Sequence, residues 1–472
     1  MQDDPNTPPQ GAAPKSALRR VARAILPRPA LDALYRRYVQ PAGQPDPGPP
    51  ASLPETAEAP GAEQPAPPGP AQSPAPEPSD PGADADAAAT RSARVTVLTD
   101  IPFWESAYGS HARLQSILAA IASECDLTVF VFKTVGRRVK SQLAQIGATY
   151  RVVSYKDYEE KAAEPLKPGK VGQDPALRGR IVDSWVRSTK RFLARHPQDT
   201  VIVEYIDRSY LLDAVPPGTA RLLDAHDVMS SRIGVFARFG KVPSINMSAA
   251  DEARIMAHYD AIIAISAFDA ADISRRLGLR RVLTVPHAIP AKPLFECRPV
   301  GRRLIFTGAN SEPNVEGLRW FLDQVWPVIR HRFDLSVVGT VCDSAPKDVP
   351  GVTLMGRVED LDGAMAAHDI AINPVFIGGG LKIKTVDALS VGLPSVNCSE
   401  AVRGIEHLAG SALAVANTRA AFIGTLNRLR DTPEERQAMS DAALAAVEAH
   451  FAPEHVFRDL LNFLTRTRRS DG

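Results

Sequence analysis

Three consecutive glycines, two lysines and an aspartate stand close together between Ile377 and Glu400, in the run IGGGLKIKTVDALSVGLPSVNCSE. Gly378, Gly379 and Gly380 carry no Cβ, so the loop they form can bring main-chain N–H groups close to an anion. A helix predicted to start near Leu381 points its positive end at the same place, and Lys382 and Lys384 add charge there. This set suits a diphosphate. A plainer role is open to the same residues: the glycines turn the chain, and Lys384 pairs with Asp387 at i,i+3 on a solvated helix face, worth roughly 0.2 to 0.5 kcal/mol. The loop alone does not separate the two.

The elements that must position these groups alternate β-branched runs with helical patterns, which is the α/β signature. Predicted strands are Arg94 to Thr99, Leu127 to Phe132, Tyr150 to Ser154, Val201 to Tyr205, Ala220 to Leu223, Ala261 to Ile265 and Val282 to Val285, with a first helix from His111 to Ser123. A second cycle runs through Arg303 to Phe306, a helix from Asn314, then Leu335 to Val338, Val352 to Met355, Ile370 to Asn373, Ser395 to Asn397 and Ala412 to Val415. Two helices close the chain, Thr432 to His450 and Pro453 to Thr465. Mostly parallel sheets are expected, with the ligand crevice at the strands' carboxyl ends. The proline-rich segment Pro286 to Gly301 suits a hinge. The expected division is residues 1–93, 94–290 and 291–472, the last two being doubly wound Rossmann-like domains that face a cleft.

Composition bounds the function classes. The chain has 472 residues with 55 basic and 54 acidic side chains, a net charge of +1, and no basic stripe interleaved with aromatics in the globular part. The electrostatic footprint of nucleic-acid binding is therefore missing. Cys125, Cys297, Cys342 and Cys398 are far apart and show neither disulfide-framework nor zinc spacing, which favours reduced thiols and the cytoplasm. The start, MQDDPNTPPQ, has no signal-peptide pattern, and no run approaches the ~20 apolar residues that span a bilayer. From Pro41 to Thr90 there is no Lys or Arg, and Pro, Ala, Gly and acidic residues dominate. That segment reads as a disordered, semi-extended linker. Residues 15–40 interleave six arginines with an apolar stripe, broken by Pro27 and Pro29. They suit either peripheral contact with an anionic membrane surface or docking on a partner or on the globular part.

From Leu304 onward the sequence resembles glycosyltransferase family 4, retaining enzymes of the GT-B fold. The resemblance is carried by LIFTGANSEPNVEGLRWFLDQVWPVI, SVVGT at Ser336 to Thr340, VTLMGRVEDLDGAMAAHDIAINPV at Val352 to Val375, the glycine loop, and PSVNCSEAVRGIEHL. The first domain matches more weakly, through LLDAHDV at Leu222 to Val228 and through DAIIAISAFDAADI followed by VLTVPHAI. The resemblance implies transfer of a sugar from a nucleotide-sugar donor to a glycan, lipid-linked or other hydroxyl acceptor, as in bacterial polysaccharide, glycolipid or glycoconjugate synthesis. It implies retention of configuration, and neither a metal nor another cofactor. The Asp-x-Asp at Asp84 to Asp86 lies in the linker and reads as compositional.

By the same resemblance the donor diphosphate sits at Gly378, Gly379, Gly380, Leu381, Lys382 and Lys384, and the acceptor lies mainly on the first domain. The family commonly has two glutamates in this region, one near the donor sugar and a later one on the ribose. Here the later position is Asp387, which retains a carboxylate, while the earlier is Gly379. His226 falls where the family has a catalytic cleft histidine near the donor sugar; its plainer role is to orient the adjoining loop. Gly109 and Ser110 match the first-domain loop that closes over the diphosphate. Gly308 to Asn310 matches the second domain's first loop, and Gly356 to Val358 the segment whose backbone reads the base. An Arg/Lys pair usual after the second domain's first strand is not supplied by SEPNVEG, and His287-Ala288 replaces the usual Asn-Gly. Rival readings are an inactive nucleotide-sugar-binding protein or a sugar-nucleotide epimerase on the same fold. A nicotinamide-dependent dehydrogenase is disfavoured because no GxGxxG opens a helix after Val95 to Thr99.

Overall fold

The computed structural model describes residues 92–105, 108–160, 164–277 and 281–467. The N-terminal basic segment and the whole predicted linker, with Asp84 to Asp86, lie outside the described residues. Strands β1 (Arg94–Thr99), β2 (Asp126–Val131), β3 (Arg151–Ser154), β4 (Thr200–Glu204), β5 (Ala220–Asp224), β6 (Ala261–Ala264) and β7 (Arg281–Thr284) form one sheet. Its order is β3-β2-β1-β4-β5-β6-β7, with every pairing parallel. Strands β8 (Arg303–Thr307), β9 (Asp334–Val338), β10 (Val352–Gly356), β11 (Ile370–Asn373), β12 (Ser395–Asn397) and β13 (Ala414–Val415) form a second parallel sheet, ordered β10-β9-β8-β11-β12-β13. The central strands are buried on both faces, as parallel sheets covered by helices require: all of β4, β6 and β12 is inaccessible.

The strand orders locate the crevices. In the first sheet the order reverses between β1 and β4, and in the second between β8 and β11. Ligand crevices open at the carboxyl ends beside such reversals. In the second lobe those ends are Thr307 and Asn373, so the loops that follow them are the Gly308 to Asn310 segment and the glycine loop.

Six helices bear on the site: α1 (Gly109–Glu124), α2 (Met229–Arg238), α3 (Glu312–Trp320), α4 (Ile383–Ser390), α5 (Pro433–His450) and α6 (Arg458–Arg466). Leu114, Ile117, Leu118 and Ile121 of α1 recur at helical spacing and are buried in the first lobe's core with Val97 and Val129. In α4, Val386 and Leu389 pack against Leu381, Val402, Ile405 and, from α5, Ala443 and Val447. Ile265, at the end of β6, joins the same cluster, so apolar contact ties the lobes together beside the glycine loop.

Three local differences from the sequence expectations have physical causes. Helix α4 begins at Ile383 rather than Leu381, because Lys382 Nζ donates to the carbonyls of Gly379 (3.0 Å) and Gly380 (3.2 Å) and keeps the loop wound up to its own position as N-cap. The last expected helix is two, Pro453–Val456 and α6, with Phe457 turning the chain between them. Helix α6 does not stay with the second lobe: Leu460, Phe463 and Leu464 are buried among Leu283, Val285 and other first-lobe core residues. Burying each such side chain is worth ~1.5 to 3 kcal/mol, so the first lobe is completed by the end of the chain rather than by residues 94–290 alone. All four cysteines are free, and no described helix is long and apolar enough to cross a membrane.

Candidate active site

The second-lobe wall is made by the glycine loop and the start of α4. Gly380 has φ +58, and a Cβ there would run into Asp227 Oδ1 of the first lobe, so only glycine gives both the turn and the approach. Lys384 reaches back from the first turn of α4 to Asn314 Oδ1 at 2.7 Å, and its ammonium lies 4.4 Å from the centre of the Phe306 ring. Asn314 in turn donates from Nδ2 to Ala309 O at 2.9 Å. Lys384 thus links the glycine loop to the Gly308 to Asn310 loop, where Asn310 N donates to Thr340 Oγ1 at 2.8 Å. Burial, with repulsion from Lys382, lowers the Lys384 pKa to about 7. Asp387 places Oδ1 3.4 Å from Nε2 of the buried His287.

Across the cleft, the N-terminus of α1 meets that of α4: a Cβ on Gly109 would stand 3.0 Å from the Ile383 side chain. Ser110 hydrogen-bonds the Tyr205 hydroxyl. Behind it lies a buried charged set. Arg113 pairs with Asp224 and donates to Val285 O at 3.0 Å, and His226 Nε2 is 2.6 Å from Glu204 Oε2. Tyr205 and His226 are both left-handed, with φ 64 and 56, and their rings stack at 4.0 Å. Such backbone costs of order 1 to 3 kcal/mol each and persists where the surroundings over-determine it. Burial works against charging His226, but Asp224 and the Glu204 hydrogen bond outweigh it and raise its pKa. Burial and Asp224 raise the Glu204 pKa as well. Among the described residues, Glu204, Asp224 and His226 are the group with metal-ligand spacing. The Arg113 guanidinium already supplies positive charge there.

The predicted residues therefore gather, with one qualification. Gly109, Ser110, Gly308, Asn310, Gly378, Gly379, Gly380, Lys382, Lys384 and Asp387 lie along the two walls, while Leu381 faces the apolar cluster shared with Ile265. Val358 packs against the cluster that holds Ile305, Met365 and Leu393, and its neighbour Arg357 acts across the cleft on His111, whose pKa burial and that guanidinium lower to about 4. His226 belongs to the site through its main chain, near Gly380, while its imidazole is turned inward onto Glu204. That is the loop-orienting geometry. Sequence reasoning did not find Glu204, Asp227, Arg232 or Arg357. Glu204 had a usable signal, a charged residue ending a continuous apolar strand; Arg232, on a surface-type helix, had none.

Residues 301–431 match the family model Glycosyl transferases group 1. The chain carries a glycosyltransferase domain on a GT-B fold. Its sheet topology is shared with the sucrose-phosphate synthase of Thermosynechococcus elongatus, at TM-score 0.59 and 12% identity over 79% of this chain and 98% of that one. S. aureus TarM gives TM-score 0.60 at 8% identity, covering 80% of this chain and 100% of that one. Anabaena HepE, solved in complex with UDP and glucose, gives TM-score 0.56 at 13% identity over 79% and 99%. No curated protein sequence matches the chain.

Proposed function

We propose that this glycosyltransferase moves a sugar from a nucleotide-diphosphate donor to an acceptor hydroxyl, with retention of configuration and without a metal ion. The observation that carries the reading is the meeting of two helix N-termini at one cleft, α4 behind the glycine loop and α1 at Gly109, with Lys384 between the second lobe's two loops. Peptide dipoles and unsatisfied N–H groups at such ends favour an anion, and preorganised donors stabilise the charge that develops on a departing diphosphate. In that pose Gly378, Gly379, Gly380 and Lys384 face the phosphates, on a loop that Lys382 holds in shape, and Asp387 faces the ribose hydroxyls, with His287 holding its carboxylate in place. Gly308, Asn310 and the Val358 segment flank the nucleotide. The acceptor enters from the first lobe, past Gly109 and Ser110.

The bond from sugar C1 to the phosphate oxygen breaks while the acceptor oxygen bonds C1 from the same face, and the phosphate oxygen takes the acceptor proton. His226 acts on this step only by shaping the loop beside Gly380. HepE is solved with UDP, with UDP-glucose and with UDP and glucose, and TarM with UDP and glycan compounds, which supports a nucleotide-sugar donor and a glycan-type acceptor here. A cytoplasmic enzyme that meets the membrane through residues 15–40 fits this role. Thermal-shift screening of UDP-, GDP- and ADP-sugars should give one donor series that stabilises the protein, and acceptor should then trigger release of the nucleoside diphosphate, with chelator present. No stabilisation by any series would overturn the reading. Stabilisation without release, with glycan, lipid-linked and simple hydroxyl acceptors, would favour the binding protein that Gly379 suggests.

A further inference from the structure

We infer that Arg232, on the first lobe, is the guanidinium that meets the donor diphosphate at the glycine loop, in the space left open by Gly379. The inference rests on the nucleotide-sugar reading above and names a positioning cation which that reading lacks.

At the glycine loop the second lobe has its lysines already engaged. Its first loop, SEPNVEG, supplies no Arg or Lys. Lys382 spends its ammonium on the carbonyls of Gly379 and Gly380 and lies 3.5 Å from Glu400, so it builds the loop rather than facing a ligand. Lys384 is held by Asn314 and the Phe306 ring, and burial leaves it only partly charged near neutral pH.

Arg232 comes from the other side. A Cβ on Gly379 would stand 2.7 Å from Arg232 Cγ, so the arginine stem lies directly over the loop. The guanidinium rests 5.2 Å from the Phe236 ring, its side chain is 19% exposed, and its buried Nε has no protein acceptor. Among the described residues its carboxylate neighbour is Asp227, 3.5 Å away and longer than a charge-assisted hydrogen bond, and Nη1 also donates weakly to Met229 Sδ at 3.7 Å. A guanidinium so held, with donors to spare, can take two phosphate oxygens side by side. A diphosphate of higher charge would displace the loose contacts to Asp227 and Met229 Sδ.

Gly379 then has a reason. A carboxylate at 379 would lie against Arg232 and neutralise it, whereas glycine leaves both the space and the charge for the ligand. Charge lost from the second lobe is returned from the first, so donor binding draws the lobes together.

Calorimetric titration with inorganic pyrophosphate tests this without knowing the base. Arg232→Gln should weaken pyrophosphate at least tenfold with an unchanged melting temperature, Arg232→Lys should recover part of the loss, and Arg238→Gln, an exposed change on the same helix, should do nothing. Gly379→Glu should weaken binding to a similar extent, and Arg232→Gln with Gly379→Glu should lose little more than either alone. Wild-type affinity in Arg232→Gln alongside weakened binding in Lys384→Met would overturn the role of Arg232 and leave the donor reading standing. If the wild-type protein bound neither pyrophosphate nor any nucleoside diphosphate, both would fall.

Discussion

The two walls of the cleft solve the problem of charge differently. The second-lobe wall is mostly main chain: bare glycines, a helix N-terminus, and one lysine steadied by an amide and a ring. The first-lobe wall behind α1 is built of ionisable side chains locked to one another, Arg113 on Asp224 and His226 on Glu204, all buried. A wall meant to bind an anion keeps its donors unspent, and a wall meant to hold shape spends them on itself. The first should be sensitive in affinity and the second in stability.

The sharpest way to break that contrast is Arg113→Met. Removing one partner of a buried pair leaves Asp224 charged and uncompensated, which costs about 3 to 5 kcal/mol. Denaturant unfolding should show this loss, and a fold that survives should bind pyrophosphate nearly as before. A variant of unchanged stability would show that the set is not structural. Lys384→Met should do the reverse. Losing a charge-assisted contact of roughly 1.5 to 3 kcal/mol should weaken pyrophosphate ten- to a hundredfold by calorimetry, and a normal Kd would remove Lys384 from the site.

The same lysine gives a pH test. Its folded pKa, about 7, is below the 10.5 of an ordinary lysine, so between these values the unfolded chain holds the proton and the folded chain does not. Stability from this group rises with pH across about 7 to 10.5, and its penalty is complete below about 7. Lys384→Met should therefore be relatively more stable at pH 7 than at pH 10 in denaturant melts. Pyrophosphate binding should take up protons at pH 8, seen as a dependence of the observed heat on buffer ionisation enthalpy, and that uptake should vanish in the variant.

The second-lobe wall was legible in the sequence because it is contiguous: Gly378 to Asp387 is one loop and one helix turn, and the strands that carry it are runs of apolar residues with a period the eye can count. The mostly parallel sheets followed from the alternation of the two patterns. The first-lobe wall was not legible, because its members come from separate strands and helices and are defined only by whom they touch. Arg113 reads as the outer face of an amphipathic helix, yet its side chain is 1% exposed. Arg232 reads as solvated, and only the fold brings it over Gly379. His226 was singled out as a cleft histidine near the donor sugar, but residue type and position say nothing about the direction of a ring, which here turns onto Glu204. The return of α6 to the first sheet was hidden for the same reason, since an amphipathic helix does not name the surface it will cover.

Smaller effects sharpen the contrast further. Asp387→Asn should weaken nucleoside diphosphate by roughly three- to tenfold, the worth of one or two hydrogen bonds of ~0.5 to 1.5 kcal/mol each, while leaving pyrophosphate unchanged. Equal losses for both ligands would place Asp387 on the phosphates or make it merely structural. The smallest effect belongs to the cleft mouth, where Lys241 of the first lobe reaches Glu312 at 2.5 Å and Glu316 at 3.4 Å on α3. Both glutamates are well exposed, so the pair is worth under ~1 kcal/mol and is screened by salt. Lys241→Ala should leave the melting temperature within about a degree, and any change in donor affinity should disappear as salt is raised. A large, salt-independent loss would mean that the lobes are held at their rim rather than through Ile265, Leu381 and the loops beside them, and that the division between a binding wall and a holding wall does not describe how this cleft closes.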